Sequence, residues 1–343
     1  MKTTILITED ISEPIDEGVK KFSYQFAKFI DENNNIIYCK LSNKNIHNIK
    51  YLPKNKFLFS LSFFKNVNLI KPQLIIYVPA SSSTLMGFIR LKIVSVFCRS
   101  AKMIMVSVQA RKHNYVTKGL IATFLKPNTI FALSNIEALY YEKLSITSFV
   151  SSVGVDVNKF NSINANDKNK LREKLGLPLN AKILLHVGHI KKGRNLEILK
   201  ILLNEGYKLV IIGSTRFKTE IEYKHSLEKA GYVFFNDYIE NIEEFYQASD
   251  IYVFPVLSFL NAMEFPLSVL EAMSCNLPIL TTRFGGLLNS FSESDCFKYF
   301  SDENELLEKI NLLSKIDICH NREIVLKNYS WEIVLKNILK KVD

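Results

Sequence analysis

No stretch of this 343-residue sequence approaches the run of about 20 apolar residues that a membrane-spanning helix needs. Cysteine is sparse as well. The five thiols, at positions 39, 98, 275, 296 and 319, are odd in number and scattered, which fits neither a disulfide framework nor a metal site. No Asp-x-Asp pair occurs, so no bound metal is expected. Nor is there a helix-turn-helix, zinc-finger or RNA-recognition signature, which makes nucleic acid a poor candidate partner. The opening residues MKTTILITEDISEP enter an apolar strand and meet Glu9 and Asp10 too early for a signal peptide, so a reducing cytosol is the expected compartment. The most informative gap is in charge: between Glu32 and Glu137 there is no acidic residue at all, while 15 Lys/Arg occur.

What is present is the composition of a folded protein, 48% hydrophobic and 23% charged, in a chain long enough for two domains. The charge is one-sided. Residues 1–150 hold 20 Lys/Arg against 9 Asp/Glu, whereas the remainder holds 24 against 25. A basic half invites an anionic partner, and bulky apolar residues interleave with these cations in 57–64 (FLFSLSFF, between Lys56 and Lys65) and in 85–99 (LMGFIRLKIVSVFCR). Basic, aromatic amphipathic helices lie in the plane of an anionic membrane surface, and that surface is the expected partner of this half. The alternative is that most of these aromatics are core.

Short apolar runs alternate with helical patterns along the whole chain, the text of parallel α/β sheets. Strands are expected at 3–8, 36–38, 74–78, 102–108 and 129–135 in the first half. Helical spacing of Phe22, Phe26 and Phe29 marks a helix to about Ile30, entered through Asp16-Glu17-Gly18, and 80–84 (ASSST) offers a helix cap. The polar run 158–170 reads as a linker. Further on, Lys182–Gly188 and Lys208–Ser214 are strands that end at glycines, and a helix is expected from Asn195 through Leu202. Between those two strands, His189, Lys191, Lys192 and Arg194 gather cations at a strand's carboxyl end, where a diphosphate is the natural counter-ion.

The stretch from Tyr252 to Gly286 carries the most chemistry. A strand ends at Pro255, a loop runs to Glu264-Phe265-Pro266, and Leu267, Val269, Leu270, Ala272 and Met273 recur at helical spacing around Ser268 and Glu271. The free amides at such a helix start welcome a phosphate, and flanking carboxylates suit hydroxyl groups. A ligand with hydroxyls on both sides of a diphosphate is a nucleotide sugar. Spacing alone leaves open that Glu264 and Glu271 are ordinary solvated charges.

The run EFPLSVLEAMSCNLPILTTRFGG closely resembles the donor-site segment of the family 4 (group 1) glycosyltransferases. The resemblance is detailed over 150–290 and topological over 1–150. It implies an α/β fold of two Rossmann-like domains facing across a cleft (the GT-B type), with a C-terminal helix beginning near Trp331 that crosses back to the first domain. The implied divisions are 1–152 for the acceptor domain, 153–325 for the donor domain and 326–343 for that helix. The implied reaction is metal-independent transfer of a hexose-type sugar, with retention, from a nucleotide diphosphate sugar to a glycan or lipid-linked acceptor. Its setting is cell-surface polysaccharide or glycolipid synthesis at the cytoplasmic membrane face. The donor is a substrate, and no cofactor is implied.

By the family's register, His189 and Arg194 fill its two basic positions after Gly188, with Lys192 assisting. The nucleobase falls at Tyr238 and Ile239 beyond the Gly213 strand end, and the ribose at Glu271. Phe265, Pro266, Leu267 and Ser268 form the helix start, and Gly18 stands where the family places a glycine turn near the phosphates. The family keeps a histidine in the loop after the strand at 102–108. Gln109 holds the equivalent place here, with Arg111 and His113 nearby. The family's Glu-x7-Glu is also altered: Glu264 and Glu271 are separated by six residues, and Met263 takes the first slot. These departures leave room for a catalytically silent subunit, and another two-domain nucleotide-sugar enzyme such as an epimerase is the rival within enzymes.

Overall fold

The computed structural model describes residues 3–342 apart from 16, 56–57, 81–82, 110, 214–219, 236–237 and 259–261. Asp16, Lys56, Phe57, Ser81, Ser82 and Ser214, which figured in the readings above, lie outside the described residues. The chain forms two compact units. Unit 1 comprises Met1–Ser152 with Met263–Phe265 and Leu335–Asp343, and unit 2 comprises Val153–Ala262 and Pro266–Val334.

In unit 1 the order is β1 (Thr4–Ile7), α1 (Gly18–Glu32), β2 (Ile36–Cys39), β3 (Ile49–Tyr51), α2 (Leu61–Ile70), β4 (Leu74–Tyr77), α3 (Leu85–Phe97), β5 (Lys102–Val106), α4 (Tyr115–Phe124), β6 (Thr129–Ala132), α5 (Asn135–Glu142) and β7 (Ser148–Val150). The strands form a parallel sheet in the order β3-β2-β1-β4-β5-β6-β7. β1, β4 and β6 are buried at every position, which is why they read as unbroken apolar runs rather than alternating ones. β3 and β7 are three-residue edge strands with no fully buried residue, too short and too wet to announce themselves. Ser60, Thr84, Asn114 and Ser134 cap α2, α3, α4 and α5 by accepting from the amide three residues on, each cap worth about 1 kcal/mol. The core lies between the sheet and α2 through α5. It contains Leu58, Phe63 and Val67 on and before α2 and Phe88, Leu91, Val94 and Cys98 on and after α3, so several of the bulky residues in 58–64 and 85–99 are core.

Unit 2 contains α6 (Ala165–Lys174), β8 (Ile183–Val187), 3-10 turns at Lys192–Arg194 and Leu196–Lys200, α7 (Ile201–Asn204), β9 (Lys208–Ile212), α8 (Ile221–Lys229), β10 (Val233–Phe235), α9 (Glu243–Ala248), β11 (Ile251–Phe254), α10 (Leu267–Ser274), β12 (Ile279–Thr281), α11 (Leu287–Ser290), β13 (Phe297–Tyr299), α12 (Glu303–Leu313), α13 (Asn321–Asn328) and α14 (Trp331–Lys340). Its parallel sheet runs β10-β9-β8-β11-β12-β13. Strand order reverses between β8 and β11, as it does between β1 and β4 in unit 1. Open α/β sheets bind ligands at the carboxyl ends of strands on either side of such a switch point.

Two expectations are corrected. Residues 158–170 are not a linker, because α6 starts within them and is anchored. On α6, buried Arg172 donates to Asp250 at 2.6 Å and to the Ala248 carbonyl at 2.9 Å, and Lys168 reaches Asp250 at 2.7 Å. Nor does a regular helix begin at Asn195. That residue takes a left-handed conformation (φ 57°), its side chain donates to the Pro255 carbonyl at 3.1 Å, and the Leu196 amide donates to the Tyr223 hydroxyl. These side-chain bonds hold the segment in 3-10 turns instead. α14 does begin at Trp331. It starts in unit 2, where Gly154 leaves room for the Trp331 backbone, and ends in unit 1, where Lys102 donates to the Val342 carbonyl at 2.8 Å.

Candidate functional site

The switch point of unit 2 places Gly188 and the following loop at the end of β8, beside the end of β11. Arg194, carried on the first 3-10 turn, folds inward and is only 6% exposed. Among the described residues its guanidinium has no carboxylate within ion-pair distance, and its Nε finds no hydrogen-bond acceptor. Burial draws it down to about 10, partly opposed by the Tyr252 hydroxyl, so it is still a cation at neutral pH. A buried cation without a partner is costly in a resting protein, and the natural remedy is an anionic ligand.

His186 stands next to it. Its Nδ1 donates to the Val253 carbonyl at 2.9 Å, its ring lies near Tyr252 and Phe254, and its Nε2 is buried with no partner. Burial, reinforced by the Arg194 charge, holds it at about 3, so it is neutral at physiological pH and offers a bare acceptor. The sequence reading passed over His186. The available signal was a single histidine in the otherwise apolar ILLHV. It also favoured Lys192, which is exposed, over Lys191, which is half-buried and whose charge burial and the neighbouring Arg194 disfavour. The Lys192 amide donates to Glu220 at 3.0 Å, and His189 is half-buried.

Gly188 makes this packing feasible. A Cβ there would lie 2.9 Å from Arg194 Nη1 and 3.2 Å from His186 Nε2. Gly188→Ala is therefore expected to displace both side chains without unfolding the unit. Affinity for a nucleoside diphosphate should fall about tenfold or more, the loss of roughly one charge-assisted hydrogen bond, as read by titration calorimetry.

α10 supplies the remaining unit 2 residues. Pro266 and Leu267 are buried and Ser268 is half-buried at its start. Glu271 is the fifth residue of α10, a little over one turn in, and is 4% exposed. The Tyr246 hydroxyl donates to its Oε2 at 2.8 Å. Gly213 follows β9, Tyr238 is exposed and Ile239 half-buried beyond β10.

Glu264 and Phe265 belong to unit 1, as does Met263. Glu264 is 5% exposed, and burial raises its carboxyl above the usual range, opposed by the Ser134 hydroxyl. Ser134 caps α5 by accepting from the Glu137 amide, so a second carboxylate stands at this helix start. Glu137 is 4% exposed. Its Oε1 accepts from Ser107 at 2.5 Å and from Tyr141 at 3.2 Å, while its Oε2 has no partner. Burial, with the Glu264 charge adding, pushes it up to about 8 against those two bonds. Ser-x-x-Glu looks in sequence like an ordinary capping box, and only tertiary packing makes it a buried carboxylic acid.

His113 is also in unit 1. Its ring stacks on Tyr140 (centroids 6.2 Å, interplanar 13°) and meets Phe88 edge-on, and its buried Nε2 has no partner. Burial keeps it below its usual value, aided by Lys118. Gly18 opens α1. Among the described residues no group of three His, Cys, Asp or Glu could hold a metal, and no helix is long and apolar enough to cross a membrane.

Unit 2 is thus a doubly wound α/β unit whose switch point, where such sheets bind ligands, holds a buried arginine that has no carboxylate partner among the described residues. Residues 167–328 match the family model "Glycosyl transferases group 1". TuaC of Bacillus subtilis (strain 168), named as a glycosyltransferase of teichuronic acid biosynthesis, is 24% identical over 190 residues, which is 52% of this chain and 46% of TuaC. The N-acetyl-alpha-D-glucosaminyl L-malate synthase of Bacillus anthracis is 27% identical over 135 residues, covering 38% of this chain and 34% of that one. The matches thus span less than half the length of these curated relatives. Anabaena HepE, solved in complex with UDP, superposes with a TM-score of 0.77 at 16% identity over 100% of this chain and 99% of its own. The fold is that of the GT-B glycosyltransferases, two parallel α/β sheets flanked by helices.

Proposed function

We propose that the chain is a retaining, metal-independent glycosyltransferase. It moves a hexose-type sugar from a nucleotide diphosphate sugar to a glycan or lipid-linked acceptor at the cytoplasmic membrane face, in cell-surface polysaccharide or glycolipid synthesis. The observation that carries this reading is Arg194, a buried cation with no carboxylate partner among the described residues, at the switch point of the segment that matches the group 1 glycosyltransferase model. In this proposal Arg194 and the neighbouring Lys191 or Lys192 take up the negative charge that develops on the departing diphosphate, which is transition-state stabilisation by a preset electrostatic field. Glu271 accepts from the ribose hydroxyls, Tyr238 and Ile239 flank the base, and Glu264 and His113 serve the transferred sugar.

The test is a panel of nucleotide sugars screened by thermal unfolding. A ligand at 100 times its Kd stabilises by about 2.7 kcal/mol, so the matching donor should raise the melting temperature by several degrees. Flat melting curves with every donor, from a folded sample, would overturn the reading. Turnover with the matching donor should also survive an excess of chelator, and complete loss on chelation would refute metal independence. The altered Glu spacing favours one rival, a silent subunit, which would bind donor without turning it over on any acceptor.

A further inference from the structure

Unit 1 turns an unusual surface outward. α2, α3 and α4 are consecutive neighbours on one side of its sheet. α2 and α3 each send several bulky residues into the core, whereas α4 sends one. Ile121 is its one fully buried residue, while Tyr115 (92% exposed), Val116 (67%), Leu120 (41%) and Phe124 (64%) stand in solvent. Val116, Leu120 and Phe124 follow one another at a spacing of four, so they form a single stripe along the helix. The neighbouring helices α3 and α2 also expose apolar residues, Phe97 (51%) and Leu69 (73%). An isolated exposed leucine means nothing, whereas an apolar stripe along one helix, beside further exposed apolar residues on its neighbours, marks a contact surface.

Charge decides what covers it. Lys112, Lys118 and Lys126 accompany α4, Lys71 and Arg99 line a cavity of about 480 Å³ at the ends of α2 and α3, and no carboxylate occurs from residue 33 to residue 136. A second copy of the same face would set cation against cation. An acidic protein or RNA could answer the charge, but neither accounts for an aliphatic stripe at helical spacing, since nucleic acid is gripped by hydrogen bonds and aromatic stacking. A bilayer with anionic headgroups answers both features, apolar side chains entering the acyl boundary and lysines staying at headgroup level.

We infer that the α4 face is a membrane-docking surface for an anionic bilayer, with the Val116–Leu120–Phe124 stripe inserted and the flanking lysines on the headgroups. This names the surface behind the membrane location proposed above and rests on that reading. The test is co-sedimentation of the full chain with vesicles of phosphatidylcholine, with and without phosphatidylglycerol. The double variant Leu120→Ser/Phe124→Ser is compared in parallel, both positions being exposed and neither assigned to the donor site. The expected result is pelleting that requires phosphatidylglycerol, weakens several-fold at high salt, and drops at least about tenfold in the double variant. Equal pelleting of the variant, indifference to phosphatidylglycerol, or preferential retention on RNA or an acidic protein would each overturn it. The donor-induced melting shift is unaffected by the double variant on this proposal, so failure of docking and failure of the donor site show up in different measurements.

Discussion

Replacing Arg194 with alanine should leave a folded protein that turns over its donor a hundred- to a thousandfold more slowly. One preset donor to a developing anion is worth about 3–4 kcal/mol, which is two to three decades in rate. The unusual part of the expectation concerns stability. Most buried arginines are tied to a carboxylate, and truncating one strands its partner. Arg194 has none among the described residues, so its removal strands no carboxylate and deletes a desolvated charge. The melting temperature of the unliganded variant should therefore hold or rise slightly, and the donor-induced increment should vanish. Arg194→Lys should recover little, because an ammonium cannot reproduce a fork that grips two phosphate oxygens. Normal turnover in Arg194→Ala would sink the assignment of this residue to the diphosphate.

Glu137→Gln should change how stability depends on pH. In the folded chain this carboxyl titrates at about 8 instead of the ordinary 4.5. The folded state therefore holds a proton across the interval in which the unfolded state has already released it. Stability from this group is fully present below about pH 4.5, is lost progressively as pH rises toward 8, and stays lost above it. The total is on the order of 4 kcal/mol. Glutamine has the shape of the neutral acid, keeps an acceptor for Ser107 and Tyr141, and cannot ionise. Wild type and variant should thus melt together near pH 5 and separate steadily toward pH 8, with the variant higher. His113, Glu264 and Tyr141 face the same region and are common to both proteins, so the difference between the curves isolates Glu137. Parallel curves would show that the carboxyl is not held neutral.

These two residues also mark how far the sequence could be read. Arg194 was legible because strand-end glycine, clustered cations and a long family-like text all converge on it. Glu137 was not, since its neighbourhood is made by Ser107, Ser134 and Tyr141 folding around it, and a capping glutamate on a solvated helix has the same local sequence. The same logic separates the strands. β8, β9 and β11 are continuous apolar runs ended by glycine or proline, so periodicity finds them. β3, β7 and β13 are three-residue edge strands that only pairing defines. The 3-10 turns after Arg194 depend on bonds from Asn195 to Pro255 and from Leu196 to Tyr223, contacts that no local window contains. Apolar periodicity in α2, α3 and α4 looks alike on paper. Only the packing shows that Phe63 and Val67 of α2 and Phe88, Leu91 and Val94 of α3 enter the core while α4 buries Ile121 alone and keeps its apolar stripe outside.

The path of the chain through its last helix has a bearing on how this protein can be recombined. Leu335, Ile338 and Val342 are buried, and Lys341 reaches back to the Val150 carbonyl at 3.0 Å, so these residues are structural members of unit 1 although they follow unit 2 in the sequence. A chimera that joins unit 2 to a foreign unit 1 at one splice near residue 152 would inherit a tail shaped for the wrong host. Two splices are required, the second inside α14. The same arithmetic applies during synthesis on the ribosome: the amino-terminal half cannot complete its own interior until the carboxyl-terminal half has already emerged.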